Sequence, residues 1–156
     1  MAINEHARIR LAIIQQKYGK RLAQGASGAD AADRRGRFKS DFRRILADIF
    51  VPTFKAIGDE LAASGHACRI EHDVGEQTPC IELHVLLRGV PADANNLIRL
   101  FYNAEAEGDG EVIAEVNVHQ TLTELTRFRV LSRITQEVAE QMCVDAIEHI
   151  FAVNAR

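Results

Sequence analysis

Between residues 66 and 130 the chain alternates apolar and polar side chains in short bursts: His66–Val74, Cys80–Arg88, Leu97–Ala106, Glu111–His119 and a brief Thr126–Val130. A period of two sends successive side chains to opposite faces, so each burst predicts a strand with one buried and one wet face. The connectors around Gly75–Pro79, Gly89–Asn95 and Gly108–Gly110 are short and rich in turn formers. They cannot hold the crossover that parallel strands require, which predicts an antiparallel meander of four or five strands. The pattern does not fix whether the fifth, at 126–130, forms.

Helical spacing flanks this region. Ile3, Ala7, Leu11, Ile14, Tyr18 and Leu22 recur at intervals of four or three, which keeps them on one helix face. Small residues at 24–30 (QGASGAD) then predict a loop or hinge. A second helix over 30–64 is expected to start near Asp30 or Asp33 and to bury Phe38, Phe42, Ile45, Ile49, Phe54, Ile57 and Leu61. Pro52 should kink or restart it, since proline removes one i to i−4 bond, and Ser64-Gly65 should end it. The last helix, 133–153, is expected to open at Ser132 or Thr135 with Glu137 in its first turn. Its apolar pairs, from Val138-Ala139 to Ile150-Phe151, suit burial on a broad surface.

Sorting the strand residues by parity gives one apolar face. It holds Cys68, Ile70, Val74, Ile81, Leu83, Val85, Leu87, Ile98, Leu100, Tyr102, Val112, Val116, Val118, Phe128 and Val130. Burial at about 1.5–3 kcal/mol per large side chain makes this face the main stabilising surface. The expected fold is therefore two-layer α+β, with long N-terminal and C-terminal helices packed on that face. It is read as one α+β domain over 25–156 preceded by a helical arm over 1–24.

The other face is mixed. Leu86, Phe101 and Ile113 fall among its charges and are expected to form one apolar patch, a common mark of a partner surface. The arm, with Leu11, Ile14 and Tyr18, is expected to dock there, on its own subunit or swapped onto a mate.

Charge supports a contact between the two parts of the chain. The net charge of −3 divides into +7 over residues 1–44 and −10 over the remainder. Opposite halves can attract within or between subunits, or the basic half can seek nucleic acid. Arg34, Arg35, Arg37, Lys39, Arg43 and Arg44 form the densest basic stretch and the candidate phosphate-binding face. No exposed aromatic pair accompanies it on a strand.

Candidate chemistry is sparse. His84, His119, Glu82 and Glu115 share the mixed face, and His84, His119 and Glu115 make a permissible metal set without tight ligand spacing. No nucleophile elbow or phosphate loop is present, so no catalytic residue and no cofactor are assigned. Three cysteines without C-x-x-C spacing point to reduced thiols and the cytoplasm. The N-terminus lacks an apolar signal core, and no apolar run could span a bilayer. The sequence is thus read as a non-catalytic cytoplasmic interaction module, a homodimer with room for a protein partner. A nucleic-acid-associated protein and a small-molecule or metal binder on the mixed sheet face are the alternatives.

Overall fold

The computed structural model describes residues 3–26, 28–73, 78–91 and 94–155, and their side chains except those of 20–26, 28, 29 and 73. Val74 and the side chain of Leu22, both assigned above to apolar faces, lie outside this description. The described chain runs α1 (Glu5–Ala26), α2 (Gly28–Ile45), a π-turn (Leu46–Phe50) and α3 (Val51–Ala63). Five strands follow, β1 (Ala67–Asp73), β2 (Cys80–Leu86), β3 (Asn96–Tyr102), β4 (Val112–Val118) and β5 (Thr121–Phe128), then α4 (Gln136–Asn154).

The sheet is the expected antiparallel meander, with strands in chain order from β1 at one edge to β5 at the other. Register aligns the apolar face: Cys68 lies opposite Val85, Ile70 opposite Leu83, Ile81 opposite Leu100, Ile98 opposite Val116 and Tyr102 opposite Val112. Helices cover this face, and the fold is α+β. The edges of the face differ from expectation. Cys68, Ile70 and Phe128 are only half-buried, and Val130 is 51% exposed, because β5 has ended before it.

The fifth strand is longer and earlier than the 126–130 segment. Val118 pairs with Thr121 across a two-residue turn in which His119 and Gln120 both have positive φ, 51° and 69°. Such turns normally carry Gly or Asn, so this one has no sequence signature. A bulge opposite Ala114-Glu115 then places Leu125 against the core and breaks the parity of β5. Strand β3 stops at Tyr102 rather than Ala106, because Asn103 Oδ1 accepts from the Glu105 amide (3.1 Å) and closes a turn.

The loop expected over 24–30 is helical on both sides of Ser27, and α2 starts at Gly28 rather than near Asp30 or Asp33. Five alanines between 23 and 32 supply strong helix propensity that outweighs Gly25 and Gly28. Further on, the buried stripe is Phe38, Phe42, Leu46, Phe50 and Phe54, at uniform spacing of four, while Ile45 and Ile49 are half-buried. On an ideal helix that spacing drifts about 40° per step. The wider π-turn takes back part of the drift, just ahead of Pro52 in the first turn of α3. Gly65 follows α3 with φ +89°, as a helix stop requires. Thr135 caps α4, its Oγ1 accepting from the Val138 amide (3.2 Å).

Candidate functional site

Three surfaces are left after the core is formed: the face of the sheet away from the helices, a groove on the outside of the helical layer, and α1 itself. On the open face the ladder sets residues in transverse rows. One row is Arg69, His84, Leu97, Asn117 and Leu122; the next is Glu71, Glu82, Arg99, Glu115 and Glu124; a third contains Cys80, Phe101, Ile113 and Arg127.

These rows divide the expected apolar patch. Phe101 and Ile113 are direct partners, but Leu86 stands at the far end of β2, six residues from Cys80, which pairs with Phe101. At the rise of a strand that is about 20 Å, with the glutamate row between. Ile113 is only 8% exposed, and the Arg99 guanidinium sits over the Phe101 ring at 4.4 Å. Little apolar surface at that end remains for a partner.

The metal set expected from sequence is not assembled either. His119 lies in the β4–β5 turn, where its Nε2 donates to Asn154 Oδ1 (2.6 Å) on α4. Asn154 Nδ2 in turn donates to Asn96 Oδ1 (3.1 Å), so His119 fastens the helix end to the sheet. Glu115 faces Arg99 at 3.8 Å; burial pushes its carboxyl pKa up, Arg99 opposes this and Glu124 adds to it. His84 instead meets Glu82 and Glu71, a residue the parity argument placed on this face without singling it out. Its Nε2 is 3.5 Å from Glu71 Oε2 and 3.7 Å from Glu82 Oε1. Among the described residues these three make the one His/Cys/Asp/Glu group close enough to share an ion.

A second carboxylate has wet-face parity in the sequence, so alternation does not single it out. Glu111 is 2% exposed. Its Oε1 accepts from Arg127 Nη1 (2.9 Å) and Asn103 Nδ2 (3.4 Å), and its Oε2 from Arg129 Nε (3.0 Å). Two arginines at alternate positions, Arg127 in β5 and Arg129 just beyond its end, are the available signal. Burial alone would raise this carboxyl pKa, but the Arg129 and Asn103 hydrogen bonds and the charges of Arg127 and Arg129 outweigh it and hold it below the usual range. A group whose folded pKa is depressed stabilises above its unfolded pKa and loses that stability as pH falls through the folded one. Acidification below about pH 4.3 should therefore erode stability. Glu111→Gln should cost about 1–3 kcal/mol at neutral pH and flatten this acid limb. Urea midpoints of both proteins at neutral and acidic pH check the expectation.

The basic stretch is largely engaged within the chain. Arg34 pairs with Asp109 (3.1 Å), Arg35 Nε donates to the Gly108 carbonyl (3.1 Å), Arg44 pairs with Asp41, and the Lys39 ammonium sits 5.1 Å from the Tyr102 ring centre. With Arg37 and Arg43 they lie along α2, and the contacts of Arg34 and Arg35 hold the 108–109 turn against it.

The groove lies between α3 and α4 and has a volume of about 430 Å³. Pro52, Ala56, Ile57, Leu61 and Val144 give it an apolar lining, and Glu60 and Glu140 add two carboxylates. Thr53 and Gln136 also line it; Gln136 Nε2 donates to Thr53 Oγ1 (2.9 Å) and to Glu140 Oε1 (3.0 Å). These bonds tie Thr53, Gln136 and Glu140 to one another beside the apolar wall.

Helix α1 carries the complementary pattern. Leu11, Ile14 and Tyr18 are 46%, 57% and 64% exposed, and Ile3 is also exposed. From residue 3 to 19 only Ala7 is even half-buried, so the arm does not dock on its own sheet. No helix of the described residues is long and apolar enough to cross a membrane. The chain matches no protein-family model, no curated protein and no solved structure, so the functional reading rests on its own residues.

Proposed function

We infer that the chain is a self-associating interaction module, a homodimer in which α1 of each copy lies in the α3–α4 groove of the other. The observation that carries this reading is the exposed stripe on α1. Ordered helices in water owe most of their stability to packing of an apolar face, and among the described residues this face is left exposed apart from a half-buried Ala7. Between Ala7 and Tyr18 the stripe extends about 16 Å, and the groove wall from Pro52 to Leu61 about 14 Å. Helix-in-groove recognition uses anchors at such spacing.

Charge selects the occupant. Arg8, Arg10 and Lys17 are exposed on α1 beside its stripe, and Glu60 and Glu140 border the groove. Both halves of the contact belong to one chain, and a two-fold exchange would bury both stripes at once. The divided charge of the chain, +7 before residue 45 and −10 after it, favours the same pairing. This replaces the open sheet face as the arm's seat, because that face offers two small apolar ends separated by a charged row. Cys68, Cys80 and Cys143 form no disulfide, and burial raises the Cys143 thiol pKa to about 12. Three cysteines without C-x-x-C spacing support a reducing compartment, the cytoplasm, as part of this reading.

Light scattering tests the assembly. The full chain should have the mass of a dimer, and removal of residues 1–24 or Ala56→Arg in the groove should each give a folded monomer. Raised salt should weaken the dimer, since its rim pairs are screened. A monomeric full chain over a wide concentration range, or a dimer that survives both changes, would refute the proposal.

A further inference from the structure

We propose that Glu71, Glu82 and His84, on the open face of the β1–β2 hairpin, form a binding site for a divalent transition-metal ion of the zinc class. The inference is independent of the dimer, whose groove lies in the helical layer on the other side of the sheet.

The ladder itself creates the site. Glu71 and Glu82 are direct cross-strand partners, and His84 is two residues beyond Glu82 on the same face of β2. Like charges directly opposite each other destabilise a strand pair unless something lies between them. Arg99 stands opposite Glu82 on β3, while Arg69, opposite His84, reaches Glu71, with Nη2 to Oε1 at 3.1 Å. That contact leaves Oε2 turned toward His84. Arg69 thereby occupies the place of an outer-shell residue that orients a ligand.

The imidazole supplies the second observation. His84 Nε2 is buried as an atom and makes no hydrogen bond, although it points between two carboxylates. A buried nitrogen without a partner is costly, and a metal ion satisfies it as well as a proton donor or acceptor would. The spacing fits. Ligand atoms about 2.0–2.2 Å from a tetrahedral ion are about 3.3–3.6 Å apart. The observed 3.5 and 3.7 Å separations from Nε2 are within tenths of an ångström of that range, and all three ligand atoms lie within 4.8 Å of one another.

The donor set narrows the ion. One imidazole nitrogen with two carboxylate oxygens suits zinc, cobalt, nickel or manganese better than calcium or magnesium, which take oxygen shells. Glu71 is half-exposed, so at least one coordination position faces water. Two carboxylates neutralise the charge of a divalent ion.

The test uses the full chain, stripped by a chelator, titrated with zinc chloride by calorimetry and with cobalt chloride by visible absorption. One zinc ion per chain should bind with micromolar or tighter affinity, and cobalt should give the absorption of an ion in a low-symmetry nitrogen–oxygen site. His84→Ala and the near-isosteric Glu82→Gln should each weaken zinc binding about tenfold or more, while His119→Ala leaves it unchanged. Circular dichroism of each variant separates lost binding from lost fold, and Glu82→Gln keeps the test valid if His84→Ala unfolds. Absence of saturable zinc binding, or binding indifferent to both variants, would overturn the site.

Discussion

Phe42→Ala should destabilise the chain by about 3–5 kcal/mol, a large share of the roughly 5–15 kcal/mol that holds a typical domain folded. Phe42 is fully buried in the stripe that runs from Phe38 to Phe54. Two terms add: the transfer free energy of the lost ring, and a cavity that the neighbours fill only in part. Collapse into that cavity is difficult here, because the stripe rests on a sheet whose facing side chains are fixed by register. Among the described residues of α2, Phe38 and Phe42 are the buried anchors, with Ile45 half-buried beside them. The variant should therefore loosen the attachment of α2 as well as lower global stability. Leu122→Ala, at a side chain 55% exposed on edge strand β5, should change stability by no more than about 0.5 kcal/mol. Urea unfolding at one fixed protein concentration compares the two, since self-association would otherwise contribute to the midpoint.

The same stripe illustrates how far the sequence could be read. Parity alone identifies the buried face of β2 and β3, because a strand has one period and a slip of one residue would invert every side chain. Ile81, Leu83, Val85, Ile98 and Leu100 are accordingly in the core. In the helix, a template of 3.6 residues selects Ile45 and Ile49, whereas the π-turn shifts the phase and buries Leu46 and Phe50. A departure from the ideal period is invisible to a method that assumes the period. The same holds for β5, where a turn of His119-Gln120 and a bulge at Leu125 break both local rules.

Site residues were legible only as far as faces were. Sharing a face is a property of one strand, but meeting across strands depends on register, which the turns set. Thus His84 and Glu82 share a face by the parity of β2 alone, while Glu71 joins them only through its pairing with Glu82. His119 was misplaced because turn geometry, not strand parity, directs its ring toward Asn154 on α4. Parity alone leaves Glu111 a solvated carboxylate, because Arg127 and Arg129, which cover it, are 16 and 18 residues away in the chain. The arm is the converse case: its exposed apolar stripe was evident from spacing, and the α3–α4 groove that suits it required the packing of two helices distant in sequence.

Gly110→Ala should cost about 2–5 kcal/mol, far more than a methyl group added to an ordinary turn. Gly110 has φ +152°, a conformation that side-chain-bearing residues rarely adopt, and a Cβ built there would lie 2.5 Å from Phe38 Cδ1. The ring has little room to yield, because Phe38 is itself buried and packs beside Tyr102 with centroids 6.0 Å apart. Gly108→Ala provides the comparison: its φ is +81°, but no atom lies within 4 Å of the new methyl, so only backbone strain of about 1–2 kcal/mol applies. A double-mutant cycle separates the two causes. In a Phe38→Ala background the collision is gone, and Gly110→Ala should then cost no more than the Gly108 change. Equal costs of Gly110→Ala in both backgrounds would show that backbone strain, not the Phe38 ring, makes glycine necessary at this position. The expected non-additivity would instead establish that the 108–110 turn and α2 fold as one unit, held by this close approach together with the Arg34–Asp109 and Arg35–Gly108 contacts beside it.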